Sequence, residues 1–145
     1  MGLREHVEEA AEYLRGRMPF VPEAMVILGS GLGGLVDGLA CAMRIPMREI
    51  PHWPLPSVPG HRGEAVWCEV GSTRTLVLAG RAHLYEGFSP QQVALPVHTG
   101  ASLGAKVLIV TNAAGGINPK FHPGDLMLVQ DHINLMFRSP LVGTQ

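Results

Sequence analysis

Apolar positions along this chain recur with two periods. Leu3, Val7, Ala10, Ala11 and Leu14 stand three or four residues apart, which predicts an amphipathic helix over 3–15 with a Glu/Arg face toward water. AMVIL (24–28) and AKVLIVTN (105–112) are continuous apolar runs bounded by turn residues, and such runs predict buried strands. Between them, EAVWCEV and RTLVLAG predict two strands joined by a turn at GST. A short helix is expected over 33–41, and DLMLVQDHINL is a further candidate strand. Ser89 followed by Pro90 reads as a cap and first position of a helix over 89–104. Pro96 within that pattern should bend or split it. The segment 47–63 carries four prolines and is expected to be a long loop, and long loops inside compact domains are often functional.

Strands alternating with helical stretches predict an α/β domain, with a mixed, largely parallel sheet flanked by helices on both faces. Ligands of such sheets sit beyond the carboxyl ends of the strands. Three strands here run into conspicuous loops: Leu28 into GSGLGG, Leu78 into AGRAHLYEGF, and Val110 into TNAAGGINP. If those strands lie side by side, the three loops converge.

Composition narrows the function class. A chain of 145 residues with 46% hydrophobic and 16% charged residues can bury one real core, which argues against disorder. A formal net charge of −1 leaves no electrostatic footprint for nucleic acid or an anionic membrane surface. The charged N-terminal stretch does not resemble a secretory leader, and apolar runs such as Val107–Val110 are far too short to span a bilayer. Cys41 and Cys68 lack metal-like or redox-like spacing, so two buried reduced thiols in a cytosolic protein are expected.

The loops suggest an anion site. Bare glycine backbone permits close approach by a ligand, and its N–H groups can line an anion pocket. Ser30 adds a hydroxyl donor, Arg81 a fork of donors suited to phosphate, and His83 a donor that responds to pH. The small side chains of TNAAGG again leave peptide N–H groups reachable. The alternatives are plain: the glycines serve only the turn, Arg81 pairs with Glu86, and His83 is an ordinary loop histidine. Gly29-x-Gly31-x-x-Gly34 formally matches the dinucleotide pattern. The acid about twenty residues on that this pattern requires would be Glu49, and the prolines of REIPHWPLP argue against a central strand there. The seven histidines show no HxH or HxxxH spacing, so no metal site is expected. No GxxxxGK[ST] loop occurs.

VILGSGLGG, VPGHRGEAVW, GRAHLYEG, TNAAGGINP and GDLMLVQDHINL follow one another in that order. On these five motifs the chain resembles the trimeric class of purine nucleoside phosphorylases over residues 24–142. It is less similar to methylthioadenosine phosphorylase, whose loops do not usually read GSGLG and TNAAGG. The resemblance implies a nucleoside phosphorylase-like fold, incomplete at the C-terminus, in which residues 1–145 form the N-terminal portion of a single domain. It implies phosphorolysis of purine (deoxy)ribonucleosides to the free base and (deoxy)ribose 1-phosphate, in purine salvage and in the cytoplasm.

Phosphate would be held by Ser30, His61, Arg81, His83 and the Ala113 N–H. Tyr85, Ala114 and Gly115 would approach the nucleoside, with His83 and Glu86 as the catalytic pair, Glu86 orienting its neighbours. No cofactor is implied, since inorganic phosphate is a co-substrate. Family members are close to twice as long, and their base-binding acid and asparagine, with a further phosphate-binding serine, lie in the second half. The alternative is a catalytically inactive phosphate-binding half-domain that needs a separate partner chain. Homo-oligomers, trimers in the family, are also implied.

Overall fold

In a computed structural model, which describes residues 2–58 and 62–142, one five-stranded sheet organises the chain. The elements are α1 (Leu3–Arg15), β1 (Ala24–Ile27), β2 (Ala40–Pro46), β3 (Glu64–Val70), β4 (Thr73–Ala79), α2 (Pro90–Ser102) and β5 (Val107–Val110). Single turns of 3-10 helix occupy Gly33–Gly38, Met47–Glu49 and Leu84–Glu86. The strand order is β2-β3-β4-β1-β5. Both pairings of β1, with β4 and with β5, are parallel, whereas β2-β3 and β3-β4 are antiparallel. The expected mixed sheet is present. Its parallel part is the half whose strands end in the three loops.

The pleat sorts side chains into two cores. Ala65 and Trp67 of β3 and Leu76 and Leu78 of β4 pack with Ala10, Ala11 and Leu14 of α1 and Leu95 of α2. Val66, Cys68, Val77 and Ala79 point the other way, against Val36 of the Gly33–Gly38 turn. Both long helices therefore cover one face, and a short 3-10 turn covers part of the other. Arg15, in the last turn of α1, donates to Ser102 Oγ at 2.9 Å and ties the two helices together at their ends. The Trp53 indole N–H donates to Thr99 Oγ1 at 3.2 Å, fixing the proline-rich loop against α2.

Local chemistry accounts for the helix ends. Ser89 Oγ accepts from the Gln92 N–H at 3.2 Å, and Gln92 Oε1 accepts from the Ser89 N–H at 2.8 Å. This reciprocal box starts α2, with Pro90 at its first position, as expected. Pro96 does not split the helix, which is continuous over Pro90–Ser102. Leu95, Pro96, Thr99 and Gly100 are buried on one side, and this packing offsets the missing backbone donor. An added Cβ at Gly100 would run into Met25 Sδ, so that side chain would have to shift.

Four expectations change. The helix expected over 33–41 is a 3-10 turn that ends at Gly38, and residues 40–46 form a strand instead. β2 alternates exposed and half-buried positions because it is an edge strand with one wet face. β5 is a strand but is exposed along its length, since among the described residues it pairs with β1 alone. DLMLVQDHINL forms no strand, because no other described segment pairs with it. Leu126 and Leu128 within it are almost fully exposed. Cys41 and Cys68 are free thiols facing each other across β2 and β3, Cys68 buried and Cys41 only half-buried. Burial, with the neighbouring Cys41, pushes the Cys68 thiol up to about 12. No helix among the described residues is long and apolar enough to cross a membrane.

Candidate functional site

Parallel pairing of β4, β1 and β5 brings three loops to the same edge of the sheet. The chain leaving β1 stays bonded to both neighbours. Leu28 N–H donates to the Leu78 carbonyl at 2.9 Å, and Thr111 N–H donates to the Ile27 carbonyl at 3.0 Å. Gly29 N–H then donates to Thr111 Oγ1 at 2.8 Å, and that hydroxyl donates to the Ile27 carbonyl at 3.1 Å. The approach is tight enough to demand glycine: a Cβ on residue 29 would sit 2.8 Å from Thr111 O and 3.2 Å from Asn112 Cα. From the third loop, Arg81 Nη1 donates to Thr111 O at 2.5 Å. Thr111 thus joins all three loops.

Ser30 lies one residue beyond Gly29, and Ala113 two beyond Thr111, so both spring from this junction. Ser30, Ala113, Ala114 and Gly115 are exposed to water. Gly31 has φ +86, a left-handed turn that a Cβ would strain. Arg81 is half-buried and also lines a cavity of about 330 Å³ with Ile27, Leu78, Val110 and Met136. That cavity is apolar and lies toward α2; Ser30, His83 and Ala113 do not line it.

His83 and Glu86 form a tight unit. Glu86 Oε1 accepts from the His83 N–H at 2.7 Å and lies 2.7 Å from His83 Nδ1. Glu86 Oε2 accepts from the Ser57 N–H at 2.6 Å and the Ser57 hydroxyl at 2.7 Å. The carboxylate is 4% accessible. Burial pushes its pKa up, but the hydrogen bonds from Ser57 and His83 more than offset this and hold it down at about 2. Glu86 therefore serves His83 and Ser57, and Arg81 reaches across to Thr111. Tyr85 stacks on the His83 ring, centroids 4.6 Å apart and planes 15° from parallel, with 74% of its surface exposed. Gly87, at φ +94, closes the turn that presents them.

His61 lies outside the described residues. Beside it, the Arg62 guanidinium pairs with both oxygens of Asp37 at 2.7 and 2.6 Å. That pair anchors this end of the proline-rich loop to the 3-10 turn after the glycine loop. Among the described residues no cluster of three His, Cys, Asp or Glu could hold a metal ion.

Thr111 and Ser57 were missed from the sequence. A threonine closing an apolar strand just before Asn-Ala-Ala-Gly-Gly is a usable signal, because its hydroxyl can replace a backbone partner where the ladder ends. Ser57 offered none beyond its place in a proline-rich loop.

The sequence profile of the Phosphorylase superfamily matches residues 23–145. The chain is 46% identical over 140 residues to purine nucleoside phosphorylase 1 of Geobacillus stearothermophilus, covering 97% of this chain and 51% of that protein. It is 44% identical over 131 residues to purine nucleoside phosphorylase of Rattus norvegicus, covering 90% of this chain and 45% of that one. The crystal structure of the Schistosoma mansoni purine nucleoside phosphorylase in complex with acetate superposes with a TM-score of 0.86 at 40% identity, covering 97% of this chain and 53% of that one. The chain therefore spans about half the length of the relatives it matches.

Proposed function

The chain belongs to the Phosphorylase superfamily, and from that premise we propose that it supplies the phosphate and ribose half of a purine nucleoside phosphorylase site. Inorganic phosphate is the nucleophile. It attacks C1′ of a purine (deoxy)ribonucleoside as the N-glycosidic bond breaks. The bonding pair leaves with the purine, giving the free base and (deoxy)ribose 1-phosphate. The transition state is oxocarbenium-like, so catalysis is positioning and fixed dipoles; no covalent intermediate and no cofactor is required.

Ser30, Arg81, His83 and the Ala113 N–H hold the phosphate, with His61 as a further donor. Tyr85 lies against the ribose, and Ala114 and Gly115 approach the nucleoside. Glu86 holds His83. One observation carries this reading: Gly29 and Arg81 both bond Thr111, which draws the three donor-bearing loops to one sheet edge. A crystal soaked in phosphate tests it. Density cradled by residues 30, 81, 83 and 113 is expected, and density elsewhere or none overturns the assignment.

A second reading is favoured by the bare edge of the sheet. β5 is 44–54% accessible and Ile117 is fully exposed, as in a half-domain that binds phosphate and acts only with a partner chain. Purified 145-residue protein assayed with inosine and phosphate separates the two. At most weak turnover is expected of this chain alone; turnover comparable to a full-length relative overturns the half-domain reading. The same proposal places the protein in cytoplasmic purine salvage, as a homo-oligomer of trimeric type.

A further inference from the structure

Four donors converge on the Glu86 carboxylate, two from the His83 backbone and ring and two from Ser57. A carboxylate that is 4% accessible survives as a charge only if such donors replace its water. The division between the two oxygens matters. Oε2 is saturated by the Ser57 N–H and O–H, so Oε1 is the oxygen left to meet His83. An ionised carboxylate is acceptor-only, so the 2.7 Å contact requires the proton to sit on His83 Nδ1. Nε2 is then the acceptor nitrogen of the neutral ring, the atom that can accept from the P–O–H of hydrogenphosphate. Tyr85 is stacked on the ring, and Arg81 lies two residues upstream in the same loop.

We infer that Ser57 is a positioning residue for His83: acting through Glu86, it orients the carboxylate that fixes the Nδ1–H tautomer and the plane of the ring. The role rests on the phosphate reading above, because it matters to function only if His83 meets phosphate. Ser57 belongs to the proline-rich loop 47–63, so that loop is wired to the R-x-H loop by two short hydrogen bonds.

The test is nitrogen-15 NMR of the imidazole at pH 8 without phosphate, followed by titration with inorganic phosphate. The proteins are the 145-residue chain and its Ser57→Ala, Ser57→Thr and Glu86→Gln variants. Ser57 is exposed and in a loop, so its substitution leaves the core untouched. The wild type is expected to be predominantly Nδ1–H. Ser57→Ala should move the tautomer ratio several-fold toward Nε2–H and weaken phosphate binding several-fold. Ser57→Thr, which keeps the hydroxyl, should restore both, and Glu86→Gln should exceed Ser57→Ala. An unmoved tautomer ratio in Ser57→Ala overturns the inference, whatever happens to phosphate. A moved ratio with no phosphate binding in any of the proteins supports the positioning role and overturns the phosphate reading instead.

Discussion

Gly29 N–H donates to Thr111 Oγ1 across 82 residues of sequence, and an added Cβ at 29 would sit 2.8 Å from the carbonyl of the same threonine. The glycine loop is therefore defined less by its own turn than by how closely it lies on the end of β5. Gly29→Ala is expected to destabilise the fold by about 1–3 kcal/mol, the usual cost of forcing atoms into a packed contact with backbone. Urea denaturation of the two proteins checks this, and an unchanged midpoint would mean the loops are not in contact.

Thr111→Val keeps the shape and removes the hydroxyl. It strands the Gly29 N–H and deletes the bond to the Ile27 carbonyl. A loss of about 1–3 kcal/mol is expected for a part-buried donor left unpaired. Thr111→Ser should lose clearly less, since it keeps both bonds. Equal losses for Val and Ser would refute the hydroxyl's role.

Stability should fall in acid through Glu86. Its carboxyl is held at about 2 in the folded chain, against an ordinary value of 4.5. A depressed folded pKa contributes stability that is full above the unfolded value and is lost as pH falls toward the folded one. The wild type should therefore lose stability between pH 4.5 and 2. Glu86→Gln should be less stable at pH 7 and show a shallower decline across that window. Parallel declines in the two proteins would remove Glu86 as the source.

Arg81→Ala should weaken binding of inorganic phosphate by about 1.5–3 kcal/mol, the range for hydrogen bonds to a charged group. Arg81→Lys should fall between, because an ammonium keeps the charge but not the fork of donors. Calorimetric titration reads both, and wild-type affinity in Arg81→Ala would count against the assignment.

The exposed side of β5 should also be measurable. Val107, Leu108, Ile109 and Val110 are each about half accessible at a sheet edge that no other described strand pairs with. Such an edge invites strand pairing between copies. The chain is expected to self-associate as concentration rises, and Ile109→Lys to suppress this. Light scattering across a dilution series shows whether it does.

Much of the fold was legible because its signals are local. The 3–4 spacing from Leu3 to Leu14, the Ser89-Pro90 start and the GST hairpin are each decided within a few residues. The convergence of loops followed from the order of apolar strands. β2 was not legible, since Ala40–Pro46 is a half-wet edge whose pattern reads equally as a helix. The burial of β5 and the strand at DLMLVQDHINL were over-read, because an apolar run shows what a segment can pair with and not whether a partner is present. Of the proposed phosphate ligands, Ser30, Arg81 and His83 were visible as residue types. Thr111 and Ser57 were not, because their partners lie 82 and 29 residues away.

The position of β1 has a consequence for how the molecule is made. It is the first strand to be synthesised, yet it sits between the fourth and the fifth. The β2-β3-β4 meander can close early, from neighbours in sequence, while β1 waits for partners that emerge much later. The cradle around Gly29 comes into being only once Thr111 has been translated, so this junction takes shape later than the meander.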